Sequence, residues 1–348
     1  MRPDKNSSSA RPVSKAVSIE DVASEANVST ATVSRVLNNP TLVAPATALR
    51  VQEAIAKLDY HPNAIARGLS TRKSHVLGLA LPDIFGEFYS DLLRGADAEA
   101  RRLGYYLLVG SEAGIRERSV HEGALGVGLV DGLAVMITEP DTKLLPELKK
   151  MGLPLVVMDA ESAGDRVDTI TVDNAVGSRE AATHLLAATP AERCWFVGGP
   201  RENFDTLERA RAFSETLASR GHAVRADQVA YGTYSMEWGR QWAERMLKDK
   251  RGLKGAAVLA GNDEIAYGVM TAAVDAGLRV PGDVRIVGFD DTRLASIVRP
   301  RLSTVRMPAG EIGAGAVRAL VERVKNPDSP ATHVKLPSAL VVRESSAG

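Results

Sequence analysis

An all-α head followed by an α/β body of two doubly wound, parallel-sheet lobes is the fold class that this 348-residue sequence predicts. Three observations predict it. Residues 17–60 carry Ala, Val and Leu at helical spacing, with no strand-like run and no glycine. From Val76 onward the pattern changes to short apolar runs, "VLGLAL" (76–81), "YYLLVG" (105–110), "GLAVMI" (132–137), "LPLVVM" (153–158), "CWFVGG" (194–199), "GAAVLA" (255–260) and "VRIVGF" (284–289), with amphipathic stretches between most of them. Near-continuous apolar strands separated by helices imply parallel sheets covered on both faces. Finally, the units are too many for one sheet of ordinary size, so a break into two similar lobes near residue 174 is expected.

The first sixteen residues, "MRPDKNSSSARPVSKA", combine charge and serine without an apolar core, so they read as a flexible tail and exclude a secretory signal. No apolar run approaches the roughly 18 residues that span a bilayer, and a cytoplasmic protein is expected. The single cysteine, Cys194, excludes an internal disulfide framework and a multi-cysteine zinc site, and in "RCWFVGG" it reads as a small packed hydrophobe. Net charge is zero, but residues 1–75 hold ten Lys/Arg against six Asp/Glu, which leaves the rest of the chain acidic. A basic end on an acidic body suits a polyanion at that end, although a solvated basic surface has the same composition.

Within the head, Ile19, Val22, Ala23 and Ala26 share one helical face, with Ser18 as the N-cap and Glu20 and Asp21 in the first turn. Asn27 tolerates the left-handed conformation and ends this helix in a tight turn. Ser29 caps a second helix whose inner face is Val33, Val36 and Leu37, and Val28 packs into the corner. A third helix starts near Pro45 and turns Leu49, Val51, Ile55 and Leu58 inward. This is a helix-turn-helix. The outer face of its second helix presents Thr30, Ala31, Thr32, Ser34, Arg35 and Asn38. Short side chains let a helix approach the floor of a major groove, where hydroxyls reach phosphates and an arginine pairs with guanine. A surface built only for solubility would favour Lys and Glu.

The linker "YHPNAIARGLSTRKSH" (60–75) contains a helix of under two turns, Ala64 to Leu69, capped by Asn63 and weakened by Gly68. Such a helix is not stable alone in water, so it orders only against something else.

The motifs "SIEDVASEANVSTATVSRVLNN", "YHPNAIARGLS", "VDGLAVM", "GNDEIAYGVMTAAVDAGLRVPGDVRIVGFDDT" and "PRLSTV" resemble, in order and spacing, the LacI/GalR family of bacterial transcription regulators across residues 17–344. The resemblance implies a helix-turn-helix head joined to an α/β periplasmic-binding-protein-like effector domain. The expected division is a tail (1–16), a DNA-binding head (17–60), a hinge helix and linker (61–75) and an effector-binding and dimerisation domain (76–345). Its first lobe takes about 76–173 and 306–332, its second about 174–305 and 333–345. The resemblance further implies a homodimer on a near-palindromic operator, with a small-molecule effector between the lobes. Thr30, Ala31 and Arg35 fall where the family reads bases, and Ser18, Ser29, Thr32, Ser34 and Asn38 where it contacts the backbone or caps helices. Leu69 falls at the leucine that wedges into the minor groove, a role that suits an exposed Leu on a marginal helix; Asn63 and Ala66 on the same segment join the expected DNA contacts.

In the effector domain, Arg209 in "FDTLERARAF" aligns with the arginine that clamps effector in the family. Asn262 and Asp263 in "GNDE", Asp290 in "GFDD" and Asp159 at the end of "LPLVVMD" follow apolar strands, and Tyr234 in "GTYS" stands at a frequent aromatic position. Asp83, Phe88 and Tyr89 follow the first strand, and Asn203 and Asp205 precede Arg209. Ligands in open parallel sheets sit outside the carboxyl ends of strands. Carboxylates and amides there match sugar hydroxyls, and aromatic rings cover apolar sugar faces. Each acid has the alternative of capping a helix, the role expected of Asp173 in "TVDNAVG". Two features depart from the family pattern. "HEGALGVGLVDG" (121–132) has four glycines where a helix is expected, and the chain ends at "VVRESSAG" without a leucine heptad, which favours a dimer over a tetramer.

The expected function is an effector-responsive repressor of a carbohydrate-utilisation operon, with a sugar or sugar derivative as effector and no cofactor, metal or membrane partner. A sugar-binding protein of the transport type shares the two-lobed body, but lacks residues 17–69 and has a signal peptide. An enzyme is disfavoured because no Gly-rich phosphate loop, nucleophile elbow or His-rich metal cluster is present, and the six histidines are scattered.

Overall fold

The structure, a computed structural model, describes residues 17–60, 73–83, 86–111, 129–140, 144–160, 164, 167–249 and 252–347. Its contacts divide into two units, Met1–Ser74 and His75–Gly348.

In the first unit, Ser18 and Asp21 form a reciprocal capping box at the start of α1 (Ile19–Glu25): Asp21 N donates to Ser18 Oγ, and Ser18 N donates to Asp21 Oδ2 at 2.8 Å. Asn27 takes a φ of 50°, and Val28 N donates back to the Ala23 carbonyl. Ser29 Oγ accepts from Thr32 N at the start of α2 (Thr30–Asn38). Helix α3 (Pro45–Lys57) has Pro45 in its first turn. Val22, Ala23, Ala26, Val33, Val36, Val51 and Ala54 form the shared core, with Ile19, Val28, Leu37, Ile55 and Leu58 against it. The packing of these apolar faces, rather than the weak helix propensity of Thr, Ser and Val, holds α2 helical.

Leu49 departs from expectation: it is 57% exposed. The buried face of α3 runs through Val51, Ala54, Ile55 and Leu58, positions 0, 3, 4 and 7 of one stripe. Leu49 lies two residues before Val51, on the far side of the helix.

The second unit contains two six-stranded sheets. The strands are β1 (Val76–Leu81), β2 (Tyr106–Ser111), β3 (Gly132–Met136), β4 (Leu155–Met158), β5 (Asp168–Asp173), β6 (Cys194–Gly198), β7 (Val229–Tyr231), β8 (Ala256–Ala260), β9 (Val284–Asp290), β10 (Ser303–Arg306), β11 (His333–Pro337) and β12 (Ala339–Val341). The first sheet is ordered β11-β5-β4-β3-β1-β2 and is wholly parallel. The second is ordered β12-β10-β9-β8-β6-β7, with β12 antiparallel to β10. The central strands β3, β4, β6 and β8 are buried at every residue, which explains their unbroken apolar runs.

The helices are α4 (Glu87–Arg102), α5 (Leu144–Lys150), α6 (Asn174–Leu186), α7 (Phe204–Ser219), α8 (Met236–Lys248), α9 (Asp263–Asp275), α10 (Arg293–Ile297) and α11 (Ala309–Lys325). Helices α8 and α9 pack at backbone contact: a Cβ on Gly268 would collide with the Met236 carbonyl oxygen. The chain passes between the sheets at three places: from β5 into α6, from β10 into α11 and from β11 to β12.

The last passage corrects the expected lobe boundary. Residues 333–345 were expected in the second lobe, but His333–Pro337 pairs with β5 in the first sheet, with Val334 opposite Ile170. This edge strand, "HVKLP", is largely exposed and carries no apolar run to mark its sheet. Its place is set by the segment before it. Asp168 accepts from Thr332 N and Oγ1 and from Arg323 Nε and Nη2, which pins the approach to β11 beside β5.

Candidate functional site

The parallel topology brings the strand ends and the loops after them to one side of each sheet, and a cavity of about 750 Å³ lies there. All eleven expected effector positions border it: Asp83, Phe88, Tyr89, Asp159, Asn203, Asp205, Arg209, Tyr234, Asn262, Asp263 and Asp290. They come from both sheets. Asp83 and Asp159 follow β1 and β4, whereas Asn262 follows β8 and Asp290 ends β9.

Arg209 is the best-held of these side chains, with 2% of its surface exposed. Its Nε donates to Asn174 Oδ1 at 2.8 Å, Nη1 to the Gly261 carbonyl at 2.7 Å and Nη2 to Asp205 Oδ2 at 2.9 Å. Its guanidinium lies 3.9 Å from the centre of the Phe289 ring. Burial opposes its charge, but Asp205, Asp290 and Asp159 more than offset this and hold its pKa above the ordinary value. The result is a fixed, charged fork with one edge towards the cavity.

The polar residues around it divide by what already occupies them. Asn203 caps α7 through Thr206 N and also accepts from the Tyr234 hydroxyl at 3.1 Å. Asn262 caps α9 through Ile265 N. In both cases the side-chain oxygen is used, and the amide nitrogen is the group left to donate. Asp263 is a brace: its carboxylate takes Thr304 Oγ1 at 2.6 Å, Thr292 Oγ1 at 2.9 Å and Thr292 N at 2.8 Å, and it is 1% exposed. Burial raises its pKa from 3.8 to about 7 despite these hydrogen bonds. Asp263 therefore shapes the wall while its acceptor capacity is spent within the protein.

Asp159 and Asp290 differ from it. Both have positive φ, 67° and 103°, which turns them out of the strand ends at a conformational cost. Burial first, then neighbouring acids, raises both pKa values well above the carboxylate range, against the pull of Arg209. The phenols of Tyr89 and Tyr234 are raised too, chiefly by burial, so both remain protonated donors. Phe88 and Tyr89 meet edge to face with ring centres 5.4 Å apart. Carboxylate acceptors, a guanidinium, phenol donors and aromatic faces in one cavity are suited to a polyhydroxylated ligand.

Sequence reasoning missed Glu87, Met136, Thr138, Glu139, Met236, Glu264, Tyr267 and Thr292, which also border the cavity. Glu264 and Tyr267 were accessible, because they stand two and five residues beyond Asn262 on the helix it caps. Met136 ends β3, Thr292 is the N-cap residue of α10, and Glu87, Thr138, Glu139 and Met236 sit on loops and helix starts with no motif of their own. Cys194 is buried, and burial pushes its thiol up to about 12, which makes it a poor nucleophile.

In the head, Thr30, Ala31 and Arg35 are exposed on α2, and Thr32 and Ser34 are half-buried beside them. Ser18 and Ser29 are the caps of α1 and α2. Asn38 closes α2. Asn63, Ala66, Leu69 and the glycine-rich part of 121–132 lie outside the described residues, apart from 129–132. No described helix is long and apolar enough to cross a membrane.

A helix-turn-helix with a short-side-chained recognition face, and a two-sheet unit with a polar ligand cavity, together define a ligand-responsive DNA-binding regulator. Residues 18–63 match the model of bacterial regulatory proteins of the lacI family, and residues 182–346 match a periplasmic binding protein-like domain. Catabolite control protein A of Priestia megaterium is 33% identical over 94% of this chain and 99% of its own. The transcriptional repressor PurR of Aliivibrio fischeri is 30% identical over 94% and 97%. Among solved structures, the lac repressor dimer bound to operator and an anti-inducer aligns with a TM-score of 0.84 at 26% identity, over 96% of this chain and 100% of that one. A CelR–cellobiose complex aligns with a TM-score of 0.72 at 27% identity, over 94% and 99%. The chain belongs to the LacI family of DNA-binding transcription regulators.

Proposed function

We propose that the protein is a homodimeric repressor of a carbohydrate-utilisation operon, and that a sugar or sugar derivative bound in the cavity controls its hold on a near-palindromic operator. The observation that carries the effector reading is the convergence of Arg209, Asp159, Asp290 and the Phe88–Tyr89 pair on one cavity bordered by both sheets. The solved relative holding cellobiose supports the sugar class. In the head, Thr30, Ala31 and Arg35 read bases. Ser18, Ser29, Thr32, Ser34 and Asn38 hold the backbone, and Asn63, Ala66 and Leu69 engage the minor groove.

Effector shifts DNA affinity only by its differential affinity for the two lobe arrangements. Release and tightening use the same parts, and the sign is an experimental outcome. The test is binding of the full chain to DNA from its own promoter, with a panel of sugars scored for a change in affinity. A salt-dependent, sequence-selective complex that responds to one sugar class supports the proposal. Selective binding that survives removal of residues 1–70 contradicts it.

A further inference from the structure

Besides the three chain passages, two hydrogen bonds join the lobes at the border of the cavity. Phe204 N, at the start of α7 in the second lobe, donates to the Thr138 carbonyl, after β3 in the first, at 2.9 Å. Leu294 N, in the first turn of α10, donates to Glu87 Oε2, at the start of α4, at 2.8 Å. Glu87, Thr138 and Leu294 all border the cavity.

Both donors belong to the first turn of a helix, where N–H groups have no partner within the helix. In α7 the cap residue Asn203 takes Thr206 N, which leaves Phe204 N for the other lobe. In α10 the cap residue Thr292 makes no side-chain capping bond and gives its hydroxyl to Asp263 Oδ2 at 2.9 Å. Glu87 supplies the missing cap from the opposite lobe. It is exposed, so parting the lobes returns its carboxylate and the Leu294 amide to water at small net cost. Acids oppose closure at the same place. Burial first, then Glu237, Glu87 and Asp83, raises the Glu264 pKa, and Glu264 lies in α9 of the second lobe whereas Glu87 and Asp83 belong to the first. With these effects opposed, one hydrogen bond is enough to shift the balance between two arrangements.

We propose that Glu87 is an inter-lobe latch: by capping α10 from the first lobe it sets the balance between closed and open arrangements of the effector cavity, with the Phe204–Thr138 bond as the second point of closure. This rests on the cavity being the effector site, but the latch is testable without effector.

The test is hydrogen exchange read at single amides in the full chain without ligand. In Glu87→Ala, exchange should rise about threefold or more at Leu294 and also at Phe204. Phe204 N is bonded to Thr138 rather than to Glu87, so its protection falls with that of Leu294 only if the lobes part together. Glu87→Gln keeps an acceptor oxygen and relieves the repulsion on Glu264, and should stay near the wild type. Faster exchange at Leu294 alone reduces Glu87 to a local cap and overturns the latch. So does unchanged exchange at both amides, or a wild type in which neither is protected. Repeating the measurement with a panel of sugars tests the effector reading separately: a bound effector should slow exchange at Phe204 and restore protection in Glu87→Ala. If no sugar changes exchange at any amide bordering the cavity, the effector reading fails, while the ligand-free comparison still decides the latch.

Discussion

Arg209 Nε donates to Asn174 Oδ1 at 2.8 Å, and Asn174 is the first residue after the strand at which the chain leaves the first sheet for the second. Its Nδ2 donates to Asp205 at 2.9 Å, so one side chain orients both members of the Arg209–Asp205 pair. The other passages join the same assembly. Arg209 Nη2 reaches Met307 Sδ after β10, and Ser338 Oγ, between β11 and β12, donates to the Asp173 carbonyl at 2.6 Å. A ligand that moves Arg209 therefore acts on the joints between the lobes. Asn174→Ala should weaken effector binding by about tenfold, a loss of roughly 1.4 kcal/mol, and blunt the effector's influence on operator affinity. Effector titrations against labelled operator will measure both. Unchanged coupling would place the joint elsewhere.

Arg209→Ala should go further. It removes the guanidinium and leaves Asp205 Oδ2, Asn174 Oδ1 and the Gly261 carbonyl without their donor. Breaking a buried pair in this way costs about 3–5 kcal/mol, and Asp205, with part of its surface open to the cavity, places the loss near the lower end. Chemical denaturation of the body will report it.

Asp263 gives a pH dependence with a definite sign. Its folded pKa, about 7, is raised from 3.8, so the folded chain keeps a proton that the unfolded chain releases. This contribution is fully present below about pH 4 and is lost as pH rises through about 7. Asp263→Asn cannot titrate, and its melting temperature should fall less than that of the wild type between those limits. Parallel pH profiles would contradict the assignment.

Gly268 lets α8 and α9 meet at their backbones. Gly268→Ala should cost about 1–3 kcal/mol through overpacking and lower the melting temperature of the body. Because Asn262 and Asp263 begin α9, the same variant should also weaken effector binding.

Ser18 ties two backbone donors at the start of α1 through its exchange with Asp21. Ser18→Ala should cost the head about 1 kcal/mol. Hydrogen exchange in the full chain will show this as faster exchange at Val22 and Ala23, with strands β3 and β8 unaffected.

The strands at the centre of each sheet were legible because burial on both faces leaves an unbroken apolar run, as in "GLAVMI" and "GAAVLA". The edge strand at His333–Pro337 was not, since an exposed strand has no such run and its sheet is chosen by Asp168, far away in sequence. Leu49 misled because hydrophobicity was read without helical phase. At the cavity, the positions of Asp159 and Asp290 came from the family resemblance, and they agree with the rule that ligands gather beyond strand ends. What sequence could not separate was a carboxylate left open, such as Asp159, from one consumed by threonines, such as Asp263. That distinction depends on Thr292 and Thr304, which come close only in the folded chain.

The central claim is that the exposed face of α2 reads operator DNA. Its most direct test is fluorescence anisotropy of the wild type and Arg35→Ala on the protein's own promoter DNA and on a scrambled duplex at the same salt. The wild type should prefer promoter DNA by about a thousandfold or more. Arg35→Ala, a change at an exposed residue, should keep its melting temperature and lose that preference. A wild type that binds both duplexes equally, or an Arg35→Ala variant that still discriminates, would contradict the account.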